Sequence, residues 1–140
     1  MKVHVGVGSR NKLIHTVLVP AADLADSQAL PHLLHGQETC VWGDQADQGQ
    51  TDAIRAVALR ARDCTNRRYR FGQRVDDAIK AKNRNKSRVR AKVEHSIGVS
   101  KRVFGFQKVH DRGLAKNLHR LEVTAALANL FMVRRCLFAV

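Results

Sequence analysis

The segment from 76 to 102 places the strongest constraint on the fold, because it contains no proline and no glycine before Gly98. So long a run without helix breakers predicts a single helix, with two aspartates near its positively polarised amino end. Basic residues occupy every second position from Lys80 to Lys92. Residues two apart do not share a helix face, so these side chains must surround the helix rather than form one stripe. Such a helix suits contact with phosphates on more than one side, and a solvated charged helix is an equally open alternative.

Glu94 follows this basic run and is one of only three glutamates in the chain. A carboxylate surrounded by positive charge is typical of sites that act on polyanions. The alternative is a structural ion pair with Arg90, four residues earlier on the predicted helix, which is worth about a few tenths of a kcal/mol. Both interpretations stay open on these residues alone.

The charge balance points to nucleic acid as the partner. The 140 residues carry a formal net charge of +13 and an isoelectric point near 10.7, which predict attraction to nucleic acid or to an anionic membrane. No stretch reaches the ~18 apolar residues of a membrane span, and the amino end lacks the apolar core of a signal peptide. We therefore expect a cytoplasmic protein without a membrane partner, folded as one domain over residues 1–140.

The cysteines and histidines do not form a recognisable metal or disulfide pattern. Cys40, Cys64 and Cys136 are widely spaced, odd in number and without a CxxC pair, so we expect reduced and mostly buried thiols. His32 and His35 form an HxxH without a matching second pair, and we predict no zinc site there.

Hydrophobic periodicity predicts an α/β fold. Two β-branched runs flank the polar residues 8–11, which indicates a hairpin at the start of the chain. A helix near the end of the chain, almost wholly apolar from Val123 to Val133, should be a buried core element. The predicted elements are strands 3–7 and 13–19, helix 26–35, strand 39–42, helix 51–61, a basic loop at about 66–75, and helices 76–102 and 114–137.

Asp44 lies just past strand 39–42, at the end of the strand where α/β sheets usually present their working residues. Taken alone, a turn aspartate is the simpler interpretation. Together with Glu94 it would supply two carboxylates for divalent metal ions that activate water or a 3′-hydroxyl against a phosphodiester. Such a site normally needs a third carboxylate.

A series of short motifs, each weak alone, follows in a specific order and spacing. They are His4-Val-Gly-Val7, Asp26-Ser-Gln, Leu33-Leu-His-Gly36, Val41-Trp-Gly-Asp44, Arg90-Ala-Lys-Val-Glu94-His95, Arg102-Val-Phe-Gly-Phe106, Arg112-Gly-Leu-Ala-Lys-Asn117, and Ala-Leu-Ala-Asn-Leu at 126–130 followed by Arg134 and Arg135. Over almost its whole length the chain thereby resembles the DDE transposases of bacterial insertion sequences.

The resemblance implies an RNase H-like fold in which two aspartates and one glutamate bind two Mg²⁺ (or Mn²⁺) ions for DNA cleavage and strand transfer. By motif position, Asp44 would be the second aspartate and Glu94 the glutamate, so both would be catalytic and would bind metal. Arg90 and Lys101 match basic residues that contact DNA near the cut. The implied partners are transposon ends and target DNA, in the bacterial cytoplasm at the nucleoid.

The basic run and the resemblance together predict a set of DNA-binding residues. Their guanidinium and ammonium groups can hold phosphates and offset developing charge. The set is Lys80, Lys82, Arg84, Lys86, Arg88, Arg90, Lys92, Lys101 and Arg102.

The chain also departs from the family pattern. The family's first catalytic aspartate lies on a strand upstream of the hairpin, so we expect a truncated, catalytically incomplete copy with an incomplete RNase H-like fold (hairpin, helix, strand, helices) lacking the first catalytic strand. Loss of that strand would leave strand edges unpaired, which predicts marginal stability or a homo-oligomer. Gly8, Asp47 and Ser87 stand where relatives often have other residues.

Three functions are consistent with the sequence. The first is a transposase that cleaves and joins DNA, and the second is a non-catalytic, DNA-binding transposase remnant. The third is an RNA-binding module, suggested by residues 102–106, but the rest of that signature does not fit. Aromatic residues make up only 5% of the chain, so we expect Phe104 and Phe106 to pack against the last helix rather than to stack on bases.

Overall fold

The computed structural model of the chain describes residues 2–23, 25–44, 47–72, 74–107 and 111–138. The chain divides into two compact units, one formed by residues 1–23 with 92–140 and the other by residues 24–91. The described residues form helices and three two-stranded sheets, which confirms the mixed α/β class. The single domain over residues 1–140 stays a prediction.

The first unit begins with the predicted hairpin. Strand β1 (His4–Val7) pairs antiparallel with β2 (Ile14–Leu18), and a bulge interrupts the register just before Val7. Two backbone hydrogen bonds of 2.9 Å, both made by Gly8, close the turn. Lys12 adopts a φ of 63°, in the left-handed region that such turns use.

The last helix, α4 (Leu114–Phe138), packs against this hairpin. Leu121, Ala125 and Ala128 are buried and lie on one face, because they are four and three residues apart. The prediction of a buried core helix was wrong in its extent, since several apolar residues of α4 are about half exposed, among them Val123, Leu127 and Leu130. A stripe of small residues is enough to pack one face of the helix, which leaves the other face to solvent.

Phe104 confirms the expected packing of an aromatic side chain on the last helix. Its ring meets Phe131 of α4 edge to face, with 6.1 Å between centroids and an angle of 89° between ring planes. The guanidinium of Arg134 lies 3.7 Å from the centroid of the same Phe131 ring, in a cation–π contact. The packing of Phe106 on α4 stays a prediction.

The second unit has its own small hydrophobic core, made by Leu30, Val41, Ile54, Ala58 and Ala61. Two helices around it are shorter than the sequence predicts. Helix α1 (Asp26–Ala29) gives way to a 3₁₀ turn (Leu30–Leu33), because Pro31 has no N–H to continue the α-helical ladder. Helix α2 (Thr51–Val57) ends before the predicted position 61.

A parallel pair of strands lies beside this core. Strand β3 (Cys40–Val41) pairs with β4 (Arg62–Asp63), which sets Val41 opposite Asp63. Alternate amides of residues 62–66 donate hydrogen bonds of 2.8–3.1 Å to backbone carbonyls of residues 39–43. The pairs are Arg62 with Thr39, Cys64 with Val41 and Asn66 with Gly43. The ladder therefore runs past β3 to the residue that precedes Asp44.

The basic segment at 66–75, predicted as a loop, contains a hairpin in its second half. Strand β5 (Arg70–Phe71) pairs antiparallel with β6 (Arg74–Val75), while position 73 lies outside the described residues. Gly72 takes a φ of +61°, which a glycine adopts without strain and which allows the chain to reverse tightly. A backbone hydrogen bond of 2.8 Å from Asp76 to Tyr69 closes the base of the hairpin.

Helix α3 (Asp77–Arg102) has almost the predicted bounds. The carboxylate of Asp76 accepts a hydrogen bond of 3.0 Å from the amide of Ile79, which satisfies one of the free donors of the first turn. The predicted position of Asp76 and Asp77 at the positively polarised end of the helix is thereby confirmed. Among the described residues, no helix combines the length and apolar character that crossing a bilayer requires.

Candidate active site

Asp44 lies directly beyond the β3 ladder, in the unit of residues 24–91. Its side chain is 55% exposed, so it is open to a solvent-borne ligand. Its amide donates to Asp47 Oδ2 at 2.9 Å, and its carbonyl accepts from the amide of Asp47 at 3.1 Å. These two bonds fix the backbone on which the carboxylate is presented.

Gly43, just before Asp44, has no room for a side chain. A Cβ at this position would lie 3.0 Å from Thr65 Cγ2 on the neighbouring segment and 2.5 Å from Asp47 Oδ2. A side chain here would displace the Asp47 carboxylate, which accepts from the amide of Asp44, and would press on the Thr65 methyl group, so this position favours glycine.

Arg90 of α3 meets Asp44 directly. Arg90 Nη1 donates to Asp44 Oδ2 at 3.1 Å, and the two side chains are 36% and 55% exposed. An ion pair with this much solvent contact contributes about 0–1 kcal/mol, so a competing ion can break it at little cost. From the sequence we predicted that Arg90 contacts DNA and that Asp44 binds metal. In the structure these two side chains are in direct contact.

Glu94 is an exposed residue of α3, four residues after Arg90. It belongs to the unit formed by residues 1–23 and 92–140, whereas Asp44 belongs to the other unit. Their predicted association in one metal site therefore stays a prediction.

The nine predicted DNA-binding residues separate into two groups. Three are half-buried and bonded within the protein: Arg90 to Asp44, Lys86 to the carbonyl of Thr65 at 2.8 Å, and Lys92 to the carbonyl of Ser9. The other six are exposed, namely Lys80, Lys82, Arg84, Arg88, Lys101 and Arg102. Alternate residues on a helix point to different sides. Some side chains of the basic run therefore bond within the protein, while the others face solvent.

Three of the exposed residues form a single basic stripe. Lys80, Arg84 and Arg88 are spaced by four, so they lie one above another on the same face of α3. We call these three residues the basic stripe. At 1.5 Å per residue, successive members of the stripe are separated by about 6 Å along the helix axis.

Two buried polar residues of this unit are site elements that sequence reading missed. Asn83 of α3 is 6% exposed, and its amide accepts from Arg67 N at 3.0 Å and donates to Arg67 O at 2.6 Å. Asn66 is 5% exposed and donates to Ser87 Oγ at 3.1 Å. Both anchor the strand beside Asp44 to α3. For Asn83 the sequence signal was an asparagine inside a predicted helix, where this residue is unfavourable without a specific role, but the signal does not identify its partner.

The residues predicted to bind metal fit a divalent ion by their chemistry. Carboxylate oxygens are the ligands that Mg²⁺ and Mn²⁺ prefer. Among the described residues, however, no three His, Cys, Asp or Glu side chains lie together in a group that could hold a metal. One oxygen of Asp44 also accepts the bond from Arg90. The arrangement therefore offers individual ligands rather than a complete metal site.

Comparison with known proteins places these residues in a family. No solved structure matches the chain at a significant level. A family model described as the transposase DDE domain matches residues 1–130, which include the hairpin, the β3–β4 pair, Asp44 and the whole of α3. Divalent metal ions and a DNA substrate are general features of that family. The match covers nearly all of the chain, and the protein belongs to the transposase DDE domain family.

Proposed function

We propose that the chain cleaves and joins DNA strands during transposition of a bacterial insertion sequence, by a two-metal mechanism in which Asp44 and Glu94 are metal ligands. The family match over residues 1–130 carries the proposal. The position of Asp44 supports it, because an exposed carboxylate follows a partly buried strand and contacts Arg90 of a basic helix. The protein would act on transposon ends and target DNA at the bacterial nucleoid, with an RNase H-like arrangement of its strands.

The ion pair between Asp44 and Arg90 is compatible with this role. Because an exposed pair is worth only about 0–1 kcal/mol, a DNA phosphate can draw the guanidinium away and leave the carboxylate oxygen to a cation. A divalent ion bound at such carboxylates supplies Lewis acidity toward a phosphodiester. Arg90 would then hold the phosphate near the reacting bond, which is the DNA contact predicted from its sequence position.

Two conservative substitutions test the catalytic assignment. Asp44→Asn and Glu94→Gln keep side-chain size and remove the charge that a metal ligand needs, so each should reduce Mg²⁺- or Mn²⁺-dependent strand cleavage to background. Duplex binding, measured in EDTA by fluorescence anisotropy, should be retained. The substrate is DNA that flanks the coding sequence, and cleavage is followed on sequencing gels.

Glu122→Gln is the matched control, because Glu122 is an exposed glutamate of α4 outside the candidate site. It should cleave at the wild-type rate. Wild-type cleavage by Asp44→Asn or by Glu94→Gln would show that the residue in question is not a metal ligand of this reaction.

A specific observation favours the second candidate function, a DNA-binding remnant without turnover. Asp44 is ion-paired, and the described residues contain no three-ligand metal group. If the wild-type chain binds DNA but shows no metal-dependent cleavage, this alternative replaces the catalytic proposal. The same result would support the expected catalytic incompleteness, which stays a prediction together with self-association.

A further inference from the structure

A cavity of about 400 Å³ lies beside the first turn of α2 and the segment that contains β4, within the unit of residues 24–91. None of the candidate site residues or basic-stripe residues is among its described lining residues. The side chains that matter here are Thr51, Arg55, Arg62, Asp63, Thr65 and Arg67. Its volume falls within the range of about 300–1,000 Å³ that is usual for small-ligand sites.

The periodicity of an extended segment and that of a helix bring these side chains to one cavity. Asp63, Thr65 and Arg67 alternate along an extended segment whose amides bond to the β3 side, so they share a face. Thr51 and Arg55 are four residues apart on α2 and therefore lie on one face of that helix. The amide of the buried Asn83 holds both backbone groups of Arg67, which fixes the point from which its side chain extends.

The rim of the cavity is strongly basic. The guanidinium groups of Arg55, Arg62 and Arg67 are exposed, and none makes a hydrogen bond or an ion pair with another described residue. A guanidinium presents a fork of N–H donors that matches phosphate oxygens. Asp63 is the one carboxylate among the described lining residues, so two of the three positive charges have no counter-charge in the lining, and a bound anion would offset them.

The cavity wall also contains one oriented acceptor. Asp63 Oδ1 accepts from the amide of Thr65 at 2.9 Å and from its hydroxyl at 2.8 Å, and Oδ2 accepts from the hydroxyl of Thr51 at 2.6 Å. Each carboxylate oxygen has about two acceptor positions, so one position remains on Oδ2. Burial raises the pKa of Asp63, but these bonds and the charge of Lys86 outweigh it, so the pKa lies below its ordinary value and the group stays ionised at neutral pH.

We propose that this cavity binds a nucleoside 5′-monophosphate unit, with its phosphate held by Arg55, Arg62 and Arg67 and a base amino group donating to Asp63. A phosphate alone would leave the remaining acceptor position of Asp63 Oδ2 unused. A cationic amine alone would be repelled by the three guanidinium groups. A nucleotide satisfies both, and its size suits the volume. Cytosine, adenine and guanine carry an exocyclic amino group, whereas thymine does not, so the site discriminates against thymine. The proposal involves neither Asp44 nor Glu94.

The test titrates the full chain with deoxycytidine 5′-monophosphate in EDTA, followed by amide chemical shifts in NMR spectra. The amides of Thr51, Thr65 and Arg67 should shift. Arg55→Ala combined with Arg67→Ala should weaken binding by about tenfold or more, because each removes charge-assisted hydrogen bonds. The double variant Arg60→Ala with Arg112→Ala, at two exposed arginines outside the cavity lining, loses the same charge and should bind within about twofold of wild type.

Three ligand comparisons complete the test. Deoxycytidine, which lacks the phosphate, and thymidine monophosphate should both bind more weakly than the deoxycytidine nucleotide, and Asp63→Asn should reduce the preference over thymidine monophosphate. Equal weakening by the two double arginine variants would overturn the proposal in favour of general charge attraction. Equal binding of the uncharged deoxycytidine would overturn it by showing that the arginines do not hold a phosphate. Absence of shifts at the cavity amides would also overturn it.

The source of the nucleotide is decided with a single-stranded deoxycytidine oligomer of about 8 nucleotides. If the Arg55 and Arg67 substitutions weaken the oligomer as much as the monomer, the ligand is a nucleotide of a DNA strand. If they weaken only the monomer, the ligand is a free nucleotide. Because the measurement needs neither metal nor cleavage, its failure is distinguishable from failure of the catalytic proposal.

Discussion

Asp63 and Cys64 are adjacent residues with acid–base properties shifted in opposite directions. Burial raises the pKa of both groups. For Cys64 the neighbouring Cys40 raises the thiol pKa further, so this cysteine stays protonated to a higher pH than a free thiol. For Asp63 the hydrogen bonds from Thr51 and Thr65 prevail, and the carboxyl pKa is lowered. The hydrogen bonds and charges around each residue, rather than its burial, therefore set the direction of its pKa shift.

The three cysteines also show what spacing alone can predict. They are free thiols, as the absence of paired motifs indicates, but the expectation that they are mostly buried was wrong. Cys136 is exposed near the end of α4, and Cys40 and Cys64 are only partly buried. Spacing shows that no paired cysteine motif is present, whereas burial depends on which face of a strand or helix meets the core.

The lowered pKa of Asp63 predicts a pH-dependent contribution to stability. A carboxyl whose pKa falls on folding stabilises the native state at pH values above its unfolded pKa of about 3.9, and this contribution is lost as the pH falls through the lower, folded pKa. Asp63→Asn should therefore lower the free energy of unfolding by about 1–3 kcal/mol at neutral pH, where charged acceptors hold their donors most strongly. The difference from wild type should shrink as the pH drops below about 3.9.

Urea unfolding between about pH 7 and pH 3, followed by circular dichroism, measures this difference. Asp23→Asn is the matched control, because Asp23 is an exposed aspartate in a turn, outside every helix, and its loss should change stability little at any of these pH values. A pH-independent effect of Asp63→Asn would mean that shape rather than charge is responsible.

At the scale of elements, an asparagine of α4 joins two parts of the chain that are far apart in sequence. Asn129 accepts from Ile14 N and donates to Ile14 O, both at 2.8 Å and across 115 residues. It thus completes the edge of β2 much as a further strand would. Asn83 makes the same pair of bonds to Arg67 in the other unit.

Replacing Asn129 should be costly because two partly buried backbone groups lose their partners. We expect Asn129→Ala to lower the free energy of unfolding by about 2–4 kcal/mol, since each unsatisfied group costs about 1–3 kcal/mol. Asn129→Asp retains the acceptor for Ile14 N but not the donor for Ile14 O, so it should also be destabilising. Thermal and urea unfolding measure both.

Leu130→Ala is the matched control at the next position, because this side chain is 56% exposed and its loss should change stability little. If Asn129→Ala unfolds no more easily than Leu130→Ala, the asparagine does not hold the β2 edge in solution.

These asparagines mark the limit of what local pattern predicts. The bounds of α3 and the hairpin β1–β2 follow from local signals, namely the absence of helix breakers and two β-branched runs around a polar turn. Pro31 lies inside the predicted helix 26–35, and the 3₁₀ turn that the structure has there was not predicted. The paired hydrogen bonds that Asn83 and Asn129 make with backbone groups were not predictable, because their partners are distant along the chain.

The candidate site shows the same limit. The motif positions indicated Asp44 and Arg90 separately, but not that they form an ion pair, because that contact depends on the register between the β3 ladder and α3. Likewise, the alternation of basic residues did not reveal that Lys86 and Lys92 bond to backbone carbonyls.

At the scale of the whole molecule, the formal net charge of +13 attracts DNA whichever residues carry the charge. Direct phosphate contacts differ from this general attraction, because each one releases counterions from the duplex. The logarithm of affinity then falls against the logarithm of salt concentration with a slope of about −0.9 per phosphate contacted. The basic stripe of Lys80, Arg84 and Arg88 is the surface we expect to make such contacts.

Two triple variants with the same net charge separate the two effects. Lys80, Arg84 and Arg88 replaced by glutamine should lower duplex affinity and reduce the magnitude of the salt slope by up to about 2.7, which is about 0.9 for each lost contact. Arg60, Arg112 and Lys116 replaced by glutamine remove three exposed charges outside α3 and should leave the slope nearly unchanged. Fluorescence anisotropy with a labelled duplex at several salt concentrations measures both. Equal losses of slope would mean that DNA responds to the total charge of the molecule and that α3 does not form a defined binding surface.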